Sequence, residues 1–256
     1  MKLQSLLEKF TAQLQPNEKC FESTIWCLPV HTIQVSYKPV LRRQMDILMK
    51  MLLITVQKAH FHNASQISEI LLVEQLFVQD LLSKMEKMKL IERNEQGYEI
   101  TEKGKAQLES GVYEEDQDIT SVELIYSSTH EHFLTGDLEE VLEFEDFPEQ
   151  IYRYYQQSEQ PSISSELLIK EIQSLDYTDE EDEGKSDPIF ITSFEEIQYE
   201  QINDITCIEL LIYNEQTDKI YPRIWNTLLN KWDSVIEKEI IQNESATWKE
   251  KILEGK

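Results

Sequence analysis

The chain has 256 residues, 40% of them hydrophobic and 29% charged, with a formal net charge of -25. This composition fits a globular protein with a core, in one large domain or two ordinary ones, and 6 glycines and 7 prolines exclude collagen-like and long-linker chains. A mean hydropathy of -0.47 and a longest clean apolar run of Met51–Val56 argue against a helical membrane span.

In chain order, the first element reads as an amphipathic helix, because Leu3, Leu6, Leu7, Phe10 and Leu14 fall on one face. Its charges interrupt what would be the apolar part of a secretion signal, so a cytoplasmic location is expected. Ser23–Val40 is rich in β-branched and aromatic residues and carries two prolines, which predicts extended chain or one broken strand. From Arg42 the period changes. Met45, Leu48, Met49, Leu52, Leu53 and Val56 recur at three and four, which predicts a helix to about Ala59. Asn63 with Gln66 three residues later forms a capping box for a short second helix carrying Ile67, Ile70 and Leu71. A third helix is expected over Leu72–Met88, with Val78, Leu81, Leu82, Met85 and Met88 facing inward. Leu90 and Ile91 continue as a strand, Arg93–Gly97 turns, and Tyr98 and Ile100 return on one face. Thr101 then caps a closing helix.

Three helices, a two-stranded hairpin and a closing helix make a winged helix. Tyr98–Leu108 resembles the wing-and-exit segment of bacterial winged-helix regulators: an aromatic strand, threonine, a charged residue, lysine, glycine, and a leucine in the next helix. The resemblance covers about Arg42–Gly111. It implies the fold and leaves the function open, since the superfamily includes repressors, polymerase subunits and protein-docking modules. In DNA-binding members the third helix enters the major groove, and Lys and Arg neutralise phosphates. The residues placed to touch nucleic acid or a partner are Arg42, Arg43, Gln75, Gln79, Lys84, Lys87, Arg93, Lys103 and Lys105. Against them stand Glu74 and Asp80 in the early third helix, and Glu92, Glu95 and Glu99 on the hairpin.

The charge is unevenly spread. Residues 1–113 hold 14 Lys and Arg against 13 Asp and Glu, whereas residues 114–256 hold 10 against 36. The expected organisation is an N-terminal helix and extended segment (1–40), a winged-helix domain (41–113) and an acidic α+β domain (119–256). The last should have a small, mainly antiparallel sheet and a mobile acidic loop at 176–187. Within it, Ser121–Leu134 reads as a strand or hairpin arm, and 148–157 and 162–175 as short helices. Strands are expected at 187–194 and 205–213, with 219–226 as a hairpin partner whose Pro222 suggests an edge. Trp225, Leu228, Leu229, Trp232 and Ile236 form a helical stripe, and Trp225 and Trp232 are the candidate partner-docking side chains.

Chemistry is sparse. Cys20, Cys27 and Cys207 match no zinc or disulfide spacing and read as small buried hydrophobes. No phosphate-binding glycine loop, nucleophile elbow or zinc-protease motif occurs. Two H-x-H pairs do occur, and on a strand His130 and His132 would project from one face toward a metal. His60 and His62 fall in a helix-to-helix turn. The expectation is therefore a non-enzymatic adaptor or accessory subunit of a DNA-associated, bacterial-type assembly. No cofactor and no metal are expected, and the partner is a protein with a basic surface. Contact with DNA would be weak or indirect, membranes are not engaged, and the oligomeric state is left open. The alternatives are a winged-helix transcriptional regulator with a C-terminal sensor or dimerisation domain, a metal-dependent enzyme in the second half, and an acidic DNA mimic.

Overall fold

The structure is a computed structural model that describes residues 3–139, 148–157, 160–176 and 189–254. The chain is α+β and divides into two compact units. One comprises Met1–Val35, Val122–Leu168 and Ile197–Lys256, and the other Ser36–Ser121 and Ile169–Glu196. The acidic stretch 177–187 lies outside the described residues.

The 36–121 segment of the second unit follows the expected order of elements. Its helices are α2 (Ile47–Lys58), α3 (Ala64–Leu71), α4 (Gln75–Lys87) and α5 (Glu102–Ser110). The hairpin β2 (Ile91–Asn94) and β3 (Gly97–Ile100) lies between α4 and α5. Helix α2 begins later than Arg42. The strand β1 (Glu18–Gln44) continues past it and pairs antiparallel with β4 (Val112–Asp116), and Asp46 caps the helix by accepting from Met49 N–H at 2.7 Å. The ladder with β4 satisfies Arg42–Gln44 before helix can form there.

Asn63 caps α3 by accepting from Gln66 N–H at 3.1 Å, while the Gln66 side chain accepts from His62 N–H rather than closing on Asn63. The core holds Met49, Leu52, Leu53, Val56, Ile67, Val78, Leu82, Met85, Leu90 and Ile91, with Leu81 partly buried beside them. The helical periods therefore mark the buried faces.

The other unit carries α1 (Leu3–Ala12), the remainder of β1, and the hairpin β5 (Thr120–Ser127) and β6 (His132–Leu134). It also holds most of β7 (Ile189–Asn214), then β8 (Lys219–Asn226), β9 (Lys231–Trp232) and the long α7 (Ser234–Glu254). Helix α6 (Ser165–Asp176) buries Leu168 and Ile172. As expected, α1 buries Leu3, Leu6 and Phe10. These pack on Ile208, Leu210 and Ile212 of β7.

Four expectations need correction. The sheet is not small: among the described residues it has seven strands, in the order β6-β5-β1-β7-β8-β9 with β4 on β1. The two strands expected after residue 187 are one continuous strand, β7. Residues 148–157 form no helix. Cys27 N–H donates to Gln150 O at 2.7 Å and Tyr152 N–H to Cys27 O at 2.8 Å, so residues 150–152 bridge to β1, and a turn closed by Tyr155 N–H on Tyr152 O follows.

Finally, the helical stripe from Trp225 to Ile236 does not exist as a helix. Trp225 pairs with Trp232 across a β8–β9 turn. That turn is made by polar residues the apolar count ignores. Asn226 Oδ1 accepts from Leu229 N–H at 3.2 Å, and Asn230 adopts φ 48°. Helix only starts at Ser234. Pro222 faces Leu211 of β7 and lies beyond the two residues that β9 covers, consistent with the expected edge position.

Candidate functional site

The second unit's surface was expected to meet nucleic acid or a partner. Of the seven cations named for that role, five are already engaged. Arg42 Nε lies 3.0 Å from Glu114, and its guanidinium stacks 4.1 Å over the Phe190 ring. Arg43 sits 3.5 Å and Lys84 3.8 Å from Glu115, and Lys105 sits 2.7 Å from Glu102. Arg93 lies 5.5 Å over Tyr98 of its own hairpin. Gln75, Gln79 and Lys87 are exposed, and Lys103 is half-buried. Exposed pairs of this kind add little stability, but each cancels field that phosphate would need.

Apolar side chains occupy the corner where α3 turns into α4. Leu72 is 90% exposed, Leu76 76%, Ile70 59% and Phe77 55%. Leu76 and Phe77 lie in the first turn of α4, the end that enters the groove in DNA-reading helices. The residues that bury that helix are Val78, Leu82 and Met85. At 100° per residue Leu76 points to the opposite side. The expectation of a helix from Leu72 hid this, because Leu72 is not helical. It caps α3 in the left-handed region, at φ 56° and ψ 40°.

The Trp225 and Trp232 rings pack edge-on at 5.4 Å, and each lies within 5 Å of Phe10. Both are half-buried members of the α1 cluster, with Arg223 stacked 4.3 Å over Trp232. This is packing between α1 and the β8–β9 hairpin.

A polar constellation that sequence spacing hid centres on His130. Its Nε2 lies 2.9 Å from Asp233 Oδ2, and its Nδ1 2.8 Å from Ser127 Oγ. Burial acts to raise the Asp233 carboxyl. The His130 hydrogen bond and charge, Asn226 and the Ile236 N–H outweigh it, and the group ends below the usual carboxylate range. The ionised Asp233 accepts from His130 Nε2–H, and Nδ1 pairs with the Ser127 hydroxyl on the other side of the ring.

The order serine–histidine–aspartate is that of an activated nucleophile. Ser127 is, however, 0% exposed and lines neither neighbouring cavity. No reacting atom reaches its Oγ in this arrangement, and the cluster instead ties the β5–β6 turn to the start of α7. His130 sits in that turn rather than on a strand, and Glu131 between the histidines adopts φ 52°. The alternation that would have put His130 and His132 on one face is absent. Among the described residues, no group of three or more His, Cys, Asp or Glu is placed to hold a metal. His60 and His62 are exposed, and Cys27 and Cys207 are buried free thiols.

Two cavities flank this cluster. One, of about 240 Å³, is lined by His130, His132, Lys231 and Trp232 among others. The other, of about 340 Å³, is lined by Tyr126, Glu131, Tyr154 and Glu239 among others. Nearby, Glu209 is a buried carboxylate with saturated partners. Trp26 Nε1–H donates to it at 2.7 Å, and the Arg153 guanidinium donates in a fork at 2.8 and 2.9 Å. Arg153 also donates to Glu244. This network fixes the 148–157 segment to β7 and α7, and it is structural in character.

No family model matches the chain, and neither a curated protein nor a solved structure matches it significantly. Among the described residues, no helix is long and apolar enough to cross a membrane.

Proposed function

We propose that the chain is a non-enzymatic adaptor, an accessory subunit of a larger DNA-associated assembly of bacterial type. Its α2–α5 segment is a winged helix used for protein contact. The observation that carries this reading is the character of the α3–α4 corner. The end of α4 that a DNA reader would place against bases instead exposes Leu76 and Phe77, with Glu74 and Asp80 beside them. Four of the seven candidate cations, Arg42, Arg43, Lys84 and Lys105, are paired with Glu102, Glu114 or Glu115. Association with DNA, in this reading, comes through the partner.

The test is titration of the full chain with mixed-sequence duplex at low salt. Expected is no saturable binding. Saturable binding whose affinity falls steeply with added salt would overturn the adaptor reading in favour of a regulator.

A further inference from the structure

The apolar corner is costly in two independent ways. Leucines exposed singly are ordinary, but four large apolar side chains within Ile70–Phe77, all more than half exposed, form a local patch. Leu72 also takes a left-handed backbone at φ 56°, where its Cβ crowds the following carbonyl and where Gly or Asn sits without strain. That conformation is fixed by the cap. Leu72 N–H and Val73 N–H both turn back to Ser68 O, and Ser68 Oγ donates to Val73 O at 2.6 Å. Neither folding nor solvation selects leucine here. A side chain projected from an αL cap stands clear of both helices, open to a second molecule.

The rim of this patch has one sign. Glu69, Glu74 and Asp80 are exposed around it, and residues 59–83 contain no Lys or Arg. The acidic rim repels a second copy of the chain presenting the same corner, an anionic lipid surface and a nucleic-acid backbone alike. It complements a partner that is apolar at its centre and cationic at its edge.

We infer that the α3–α4 corner seats an amphipathic helix of a partner protein, whose apolar face covers Leu72, Leu76 and Phe77 and whose flanking Lys or Arg residues meet Glu69, Glu74 and Asp80. The inference rests on the adaptor reading above and names the chemistry of its partner. It places Leu72 at the centre of the contact, with its strain held for binding.

The probe is a synthetic helix of about twenty residues, longer than the ~12–15 at which isolated helices are marginal in water, with leucine on one face and lysine on the flanks. A scrambled peptide of identical composition, and so identical charge, controls for general attraction to an acidic chain. Full-length protein should bind the patterned helix more tightly than the scrambled one. Leu72→Asn should weaken the patterned helix by about tenfold or more while leaving the melting temperature unchanged or higher. A second variant, Leu76→Gln with Phe77→Gln, should lose binding to a similar degree. Ile47→Gln, on an exposed apolar residue of α2, should leave binding unchanged.

Equal affinity for both peptides, or wild-type affinity in Leu72→Asn, overturns the inference. Capture of anionic vesicles, or dimerisation abolished by Leu72→Asn, overturns it in favour of a lipid surface or a second copy. The adaptor reading is scored separately by a photo-reactive benzoylphenylalanine at position 77 in cells. A cross-link to a protein segment without helical Leu/Lys patterning keeps that reading and removes the inference. A cross-link to DNA removes both.

Discussion

Single residues in this chain do unequal amounts of work, and Asp233 does several jobs at once. Its Oδ1 caps α7 by accepting from Val235 and Ile236 N–H, and its Oδ2 takes His130 and Asn226. Asp233→Ala leaves Nε2 of the buried imidazole without its carboxylate and the helix uncapped, which should cost about 3–5 kcal/mol. The pH dependence follows from the sign of the shift. The folded carboxyl lies below its unfolded value, so its stabilisation is complete above the unfolded value and is lost as pH falls through the folded one. Urea melts of wild type and Asp233→Ala should therefore converge as pH falls through the usual carboxylate range and below it. Parallel curves through that range would show that the carboxylate is not what stabilises this turn.

The hairpin and its closing helix show how an element depends on one small residue. Thr101 Oγ1 accepts from Gly104 N–H at 3.0 Å and donates to Lys89 O at 2.7 Å, so the start of α5 is tied to the end of α4. A Cβ on Gly104 would stand 2.1 Å from Leu90 O, a backbone atom that cannot give way. Helix propensity alone predicts that Gly→Ala stabilises α5 by about 1 kcal/mol. The close approach should reverse the sign, and Gly104→Ala should destabilise by about 1–3 kcal/mol. A raised melting temperature in that variant would refute the packing account. The threonine-to-glycine spacing was legible in the sequence as a resemblance. Its physical content, a helix seated directly on the Leu90 carbonyl just before β2, was not.

The whole molecule carries a formal net charge of -25, so folding works against self-repulsion. Raising NaCl from about 10 mM to 150 mM shortens the Debye length from about 30 Å to 8 Å. The melting temperature should rise over that range by screening. A fall would mean that the ion pairs, such as Arg153 with Glu209 and Glu244, outweigh the repulsion. The sequence by itself determined the local features: α1 and its buried face, the Asn63 and Thr101 caps, the β2–β3 hairpin, and the apolar faces of α2 and α4. Each depends on neighbours three or four residues away, so periodicity and capping chemistry report it directly.

Only the tertiary structure decided the rest. Residues 148–157 read as a short helix, yet Cys27, 121 residues before Pro148, pairs with Gln150 and Tyr152, and the chain turns at Tyr152–Tyr155 instead. The tryptophans sat one heptad apart and became a strand pair because Asn226 and Asn230 turn the chain between them. Ser127, His130 and Asp233 meet across 103 residues of sequence from His130 to Asp233. Leu72 became an exposed left-handed cap because the turn into α4 needs that backbone, whatever side chain occupies it. At 148–157 and at the Ser127–His130–Asp233 cluster a partner more than 100 residues away decided the outcome, and such partners leave no trace in spacing; at Trp225–Trp232 and at Leu72 polar turn and cap contacts decided it, which an apolar period does not register.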